Sequence, residues 1–379
     1  MKHWIAGLLA ATALAGAARA DIAVSSNDAH TVMEDGGQVA AKPTPADSVS
    51  IIDLKGKPKI VATVQAPGSV VGPPMAVWVA PDESWVIVTG ATKATEGAPG
   101  GIGPDDKVSV IDLAASPPKV VQTLAAGAGA TTVRVSPDGT LALVANRTEG
   151  TISIFTVKDK RLTSAGKLSM DPKSMPGGMA FLPDGKTALV SRYGDNQVSV
   201  LRIDGTKITI DKRPITAGLS PYTLDITANG KLAAVGNMGR GDGDVDTVSL
   251  IDLGSEPFRT VQTLTVGRSP EGLKWSPDGK FLAIGAQNGT TKPPSSPFYQ
   301  KQGRLILLAL EGRALHQVAE APIGQWSQGI AFSRDGKTLL VQNMVERSIM
   351  VFGWNGKALK AQGALDIGAG PAAIMTSWK

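Results

Sequence analysis

The chain has 379 residues, 42% of them hydrophobic and 4% aromatic, with a formal net charge of +5, three histidines and no cysteine. The missing cysteines exclude disulfides, thiolate metal sites, covalently attached c-type haem and a lipoprotein anchor. Lysines and arginines are dispersed, with no basic run interleaved with aromatics, so nucleic acid is not an expected partner.

Met1-Lys2-His3, the apolar stretch from Trp4 to Ala18 and the closing Ala18-Arg19-Ala20 read as a signal peptide over residues 1–20. The expected mature chain begins at Asp21, and loss of Lys2 and Arg19 lowers its charge to +3. No later apolar run approaches the ~20 residues of a membrane helix, so an exported chain without a membrane anchor is expected, in the periplasm. Residues 21–27, 48–54 and 59–64 then read as strands, with a long insertion between Asp28 and Asp47.

From residue 80 onward one turn recurs. It reads Ala80-Pro81-Asp82-Glu83, Ser136-Pro137-Asp138-Gly139, Leu182-Pro183-Asp184-Gly185, Thr227-Ala228-Asn229-Gly230, Ser276-Pro277-Asp278-Gly279 and Ser333-Arg334-Asp335-Gly336. The copies lie 45 to 57 residues apart, which is the period of a repeat array. Each turn sits between two short runs of valine, isoleucine and leucine, and two further runs follow before the next copy. Four antiparallel strands per repeat, stacked radially, make a propeller blade.

The chain end supplies the count. Gly370 to Thr376 matches the opening strand of the other repeats, and the three N-terminal strands provide what that repeat lacks. The expected fold is therefore all-β, a single seven-bladed β-propeller over residues 21–379, its ring closed by one C-terminal and three N-terminal strands.

Second strands end in Leu143-Val144-Ala145-Asn146, Leu189-Val190-Ser191-Arg192, Ala234-Val235-Gly236-Asn237 and Leu340-Val341-Gln342-Asn343, and third strands read Val108-Ser109-Val110-Ile111-Asp112 or Val248-Ser249-Leu250-Ile251-Asp252. This pattern resembles the YVTN-type β-propeller repeat, related to lactonase-like propellers and to the haem-binding propeller of some nitrite reductases. The matching residues are turn and core residues, and a fold does not by itself imply an activity.

With the inner strand first in each blade, the Pro-Asp-Gly turns face the bottom, and the long insertions at 28–47, 91–107, 238–247 and 288–302 gather on the top. One column of residues there opens the inner strands and includes Tyr222, Glu271 and Gln328. A second ends the second strands with Asn27, Asn146, Arg192, Asn237 and Asn343, followed by Tyr193 and Gln287. Together they outline a polar funnel, although a terminal asparagine can equally satisfy its own turn. Deeper in the inner strands lie Arg134, Asp225 and Lys274; the last two, on adjacent blades, read as a structural ion pair, and Arg134 as the candidate for holding an anion.

Three functions are compatible with these residues. The first is a non-catalytic propeller, expected to be monomeric, that binds a small molecule or a periplasmic protein through the top funnel, with Tyr222, Gln328, Asn146, Tyr193, Asn237, Asn343 and Trp326 as contacts. Trp326 with the stretch from Pro293 to Tyr299 is the candidate apolar patch for a protein partner. The resemblance implies the second, a lactonase-like hydrolase or lyase; where that family generally uses histidine or metal-binding carboxylates, the residues this chain offers are Glu271 as general base and Arg134 or Arg192 to stabilise an oxyanion or a substrate carboxylate. The third is the structural propeller subunit of a periplasmic dehydrogenase. No cofactor is expected; calcium at Asp242, Asp244 and Asp246 is the alternative, in a loop where Thr247 and Leu253 replace the glycine and glutamate of an EF-hand. His30, in a long insertion, and His316, on an outer strand, are too few for a multi-histidine centre.

Overall fold

A computed structural model describes residues 21–377; the signal peptide expected at residues 1–20 lies outside the described residues. Seven antiparallel sheets form the blades, and in six of them the four main strands follow chain order from the axis outward. Blade five is representative, with Pro270–Trp275, Phe281–Ala286, Gly303–Glu311 and Ala314–Ile323. Blade seven is assembled from Gly370–Thr376, Ile22–Asp28, Ser48–Asp53 and Lys59–Gln65. Its closing register pairs Ala23 with Thr376 and Val24 with Met375. Gln342 of blade six donates to Ser25 Oγ at 2.8 Å and to the Ala373 carbonyl at 3.0 Å, tying the closing blade to its neighbour.

Burial follows radius. Inner strands such as Pro176–Phe181 are buried throughout, while the outermost, such as Arg259–Gly267, alternate between exposed and half-buried positions until their buried last two residues. Blades meet through apolar side chains: Leu232, Leu250, Leu273 and Trp275, for example, pack across the seam between blades four and five. Burying side chains of this size is worth roughly 1.5–3 kcal/mol each.

The repeated turn is stabilised by its own acid. Asp138 Oδ1 accepts from Ser136 Oγ at 2.5 Å and from the Thr140 amide at 3.0 Å, and Asp278 and Asp335 repeat the pattern. The glycine that follows has φ near +70°, 76° at Gly139, which explains why glycine recurs there.

Two insertions are more ordered than loops. Residues 31–40 form a hairpin of Thr31–Glu34 and Gly37–Ala40, and the 91–107 insertion is largely a continuation of Trp85–Ala94 and Ile102–Asp112 around the short turn Pro99–Gly101.

The connection from blade seven to blade one, residues 66–76, has no counterpart between other blades. It leaves the outer strand Lys59–Gln65 and reaches the inner strand Val77–Val79 by crossing the upper mouth of the ring. Val70 packs with Trp326, Met344 and Ala372 of blades six and seven. The Val71 carbonyl accepts from Thr131 Oγ1 of blade two at 3.3 Å, the Gly72 amide donates to the Tyr222 phenol of blade four, and Pro73 lies over Gly177 of blade three. At Gly72, with φ of 104°, an added Cβ would fall 1.6 Å from Thr131 Oγ1, so the crossing requires glycine there.

Candidate functional site

The crossing segment divides the axis of the ring into two polar regions. Below it, Arg134, Asp225 and Lys274 line a channel with about 20 Å³ of open space, roofed by Pro74 and Met75. Lys274 Nζ lies 3.1 Å from Asp225 Oδ2, which also accepts from the Trp275 amide at 3.0 Å, so the expected ion pair is present. Arg134 Nη1 donates to the carbonyls of Met75, Val77 and Val133 at 3.0, 3.1 and 2.6 Å. Burial pushes its guanidinium down to about 10, partly countered by Asp225.

Above and around the segment, residues from blades two to six converge. Arg147 leaves the end of Leu141–Asn146 and lays its guanidinium 4.3 Å from the centre of the Tyr193 ring and 5.4 Å from that of Tyr222. The two rings meet edge to face at 5.7 Å. Glu271, 2% exposed at the start of Pro270–Trp275, accepts a hydrogen bond from Gln287 Nε2. Burial lifts its carboxyl to about 8, while Gln287, Gln328 and the charge of Arg147 act in the opposite sense. Burial also raises the Tyr222 phenol well above its ordinary value, and Glu271 adds to that rise. Arg147 Nη1 and Gln328 Oε1 are among the buried side-chain atoms here that have no hydrogen-bond partner. Native interiors satisfy most such groups, so an unpaired pair beside a shifted carboxyl marks a candidate binding site.

The other expected site residues lie elsewhere. Asn146 donates to Thr151 Oγ1 and Ser153 Oγ at 2.8 and 2.9 Å and accepts from the Gly127 amide at 3.0 Å. Asn237 makes the equivalent bonds to Thr247, Ser249 and Gly218, and Asn343 accepts from Gly324 at 2.9 Å. Asn146 and Asn237 thus clasp the third strand and the incoming chain of their own blades, and Asn343 holds the incoming chain of its blade. Arg192 replaces it in blade three, pairs with Asp195 and reaches Ser199 Oγ at 3.4 Å. Trp326, 3% exposed, packs under the crossing segment and contributes nothing to a surface patch; Phe298 is the exposed aromatic of the neighbouring stretch.

Asp242, Asp244 and Asp246 share a surface pocket of about 240 Å³ with Arg240, and Asp246 Oδ2 accepts from the Ser269 amide at 2.8 Å. Among the described residues, the group of three metal-capable side chains with ligand atoms within 4.8 Å of one another is instead Asp28, His30 and Asp47. His30 is 3% exposed and directly precedes the hairpin, where its carbonyl accepts from the Ala41 amide at 2.8 Å. Burial alone would lower its pKa, but the bond to Asp47 and the charge of Asp28 leave it raised. His316 lies on the outer strand Ala314–Ile323, exposed, 3.5 Å from Glu311.

Sequence reasoning passed over Arg147, although it occupies the position directly after the second-strand terminus that Tyr193 and Gln287 also hold. That shared position was the available signal.

A family model described as "Lactonase, 7-bladed beta-propeller" matches residues 108–213. Comparison with curated proteins found no match. Among solved structures, a putative 6-phosphogluconolactonase from Bacteroides uniformis aligns with a TM-score of 0.73 and 16% identity, covering 94% of this chain and 99% of that one. A periplasmic gluconolactonase from Pseudomonas aeruginosa gives 0.69 and 17%, covering 94% and 98%. Hydrazine synthase from Kuenenia stuttgartiensis gives 0.59 and 20%, covering 76% and 78%. At these identities the likeness is one of fold: the chain is a lactonase-like seven-bladed β-propeller.

Proposed function

We propose that this propeller is an exported protein that binds a sugar acid or its lactone at the cluster of Arg147, Tyr193, Tyr222, Glu271 and Gln328, and opens the lactone ring by acid–base chemistry at Glu271. The observation that carries the reading is a carboxyl with a pKa of about 8 close to a guanidinium whose Nη1 has no partner. A general base works best with its pKa near the working pH, and an unpaired cationic donor suits a carbonyl oxygen that becomes negative.

In this scheme the Glu271 carboxylate takes a proton from water as the water oxygen bonds to the lactone carbonyl carbon. Negative charge gathers on the carbonyl oxygen opposite Arg147. The ring C–O bond then breaks, the departing alkoxide takes the proton from Glu271, and the product is the open hydroxy acid. The fold shared with a periplasmic gluconolactonase supports both the substrate class and the address.

Pure protein assayed with glucono-δ-lactone in a pH-stat should release acid faster than buffer alone, and Glu271→Gln should abolish the excess. Hydrolysis unaffected by that substitution would remove Glu271 from the mechanism. A second reading, binding without turnover, is favoured by the cover that residues 66–76 place over the ring and by the 2% exposure of Glu271. Its signature is a melting temperature raised by gluconate without lactone hydrolysis.

A further inference from the structure

We propose that Asp28, His30 and Asp47 form a binding site for one divalent transition-metal ion, placed so that the bound ion locks the segment crossing the ring. His30 Nδ1 lies 3.1 Å from Asp28 Oδ1 and 2.9 Å from Asp47 Oδ1. Neighbouring ligands of an octahedral ion with bonds of about 2.1 Å are roughly 3.0 Å apart, which both spacings from His30 Nδ1 match, and the ligand atoms of all three residues lie within 4.8 Å of one another. One imidazole nitrogen and two carboxylates are a donor set for a first-row ion such as zinc or manganese. With the imidazole proton displaced by the ion, two ionised carboxylates and a neutral imidazole carry a charge of −2, which one divalent ion cancels in this buried setting.

The surroundings are those of ligands held in place. A metal-binding histidine commonly gives its other ring nitrogen to a hydrogen bond. Here Nε2 faces Thr92 Oγ1 at 3.3 Å, and Thr92 in turn lies 2.7 Å from Ser69 Oγ. Every carboxylate oxygen is also oriented by a backbone amide. Thr31 and Val70 donate to the two oxygens of Asp28 at 2.8 and 2.9 Å, and Ala29 and Gly68 to those of Asp47 at 2.9 and 3.2 Å. Thr31, whose amide holds Asp28, buries its own hydroxyl without a partner. Gly68 and Val70 belong to the crossing segment, so an ion that fixes the two carboxylates also fixes that segment.

The test uses the full mature chain, stripped with a chelator and titrated calorimetrically with Zn(II) and, separately, Mn(II). One ion per chain should bind and raise the melting temperature by a few degrees. His30→Gln keeps a polar side chain between the carboxylates; because disturbing even an outer partner of a metal site costs 10–100-fold, loss of this ligand should weaken binding at least about 100-fold. Asp244→Asn and Glu271→Gln should leave the affinity unchanged. No stoichiometric uptake of either ion by the unsubstituted protein would overturn the site and leave a hydrogen-bonded clasp. Unchanged affinity in His30→Gln, or loss in Asp244→Asn, would overturn it as well.

Discussion

Two sets of charged residues lie near the axis of this ring, and they are finished differently. In the lower channel Lys274 faces Asp225, Asp225 also accepts the Trp275 amide, and Arg134 is held by three carbonyls. On the upper side Glu271 is held by the neutral amide of Gln287, while Arg147 Nη1 and Gln328 Oε1 have no hydrogen-bond partner. A satisfied polar network specifies structure; an incomplete one costs free energy that a ligand can recover. On the function proposed above, the lower set serves stability and the upper one recognition.

The strongest way to break this contrast is to exchange the expected phenotypes. Glu271→Gln should cut lactone turnover about 10²–10⁴-fold, the range for a general base, and leave the melting temperature at neutral pH no lower. Steady-state kinetics beside a thermal melt reads both. Asp225→Ala should do the reverse, destabilising by about 3 kcal/mol in urea titration because it removes the carboxylate facing Lys274 and the acceptor of the Trp275 amide, with the rate of the folded fraction unchanged.

A pH profile sharpens the comparison. The Glu271 carboxyl is raised from 4.5 to about 8, so the folded state holds its proton more tightly than the unfolded chain does. Its contribution is fully present below pH 4.5 and is lost as pH rises through about 8. The stability difference between the parent chain and Glu271→Gln should therefore shift in favour of the variant across that window and level off above it, while turnover, which needs the ionised form, rises toward the same pH. An identical pH dependence in both proteins would contradict the assignment.

Smaller effects are expected at the margins. Asn237→Ala should cost about 1–2 kcal/mol of stability through its lost bonds to Thr247, Ser249 and Gly218, without a change in KM. Arg147→Lys keeps the charge but loses the planar stack on Tyr193, worth about 0.5–1 kcal/mol, and should appear mainly as a raised KM.

The architecture was readable because its determinants are local and repeated. A Pro-Asp-Gly turn declares itself wherever it occurs, and its aspartate satisfies the turn in the blades as the spacing implied. The terminal asparagines were visible for the same reason, and the alternative in which each serves its own blade is what the structure contains. Residues 66–76 were not readable, since they occur once and owe their path to partners on five blades. His30 was obscured likewise: its carboxylate partners lie 2 and 17 residues away, and nothing in the 28–47 insertion announces that they meet. Arg147 shows a different failure: it directly follows the second-strand terminus Asn146, the position that Tyr193 and Gln287 hold in their blades, but its two aromatic partners come from blades three and four and leave no local trace in the sequence.

The closing blade also imposes an order of events. Strand Ile22–Asp28 finds its inner partner only in Gly370–Thr376, so the first strand made waits for the last. The pairing that joins the two ends of the ring spans almost the whole chain, a non-local contact of the kind that slows folding. Shortening the C-terminus by that one strand would thus remove far more than its own share of the structure, because the step that closes the ring would have no last piece.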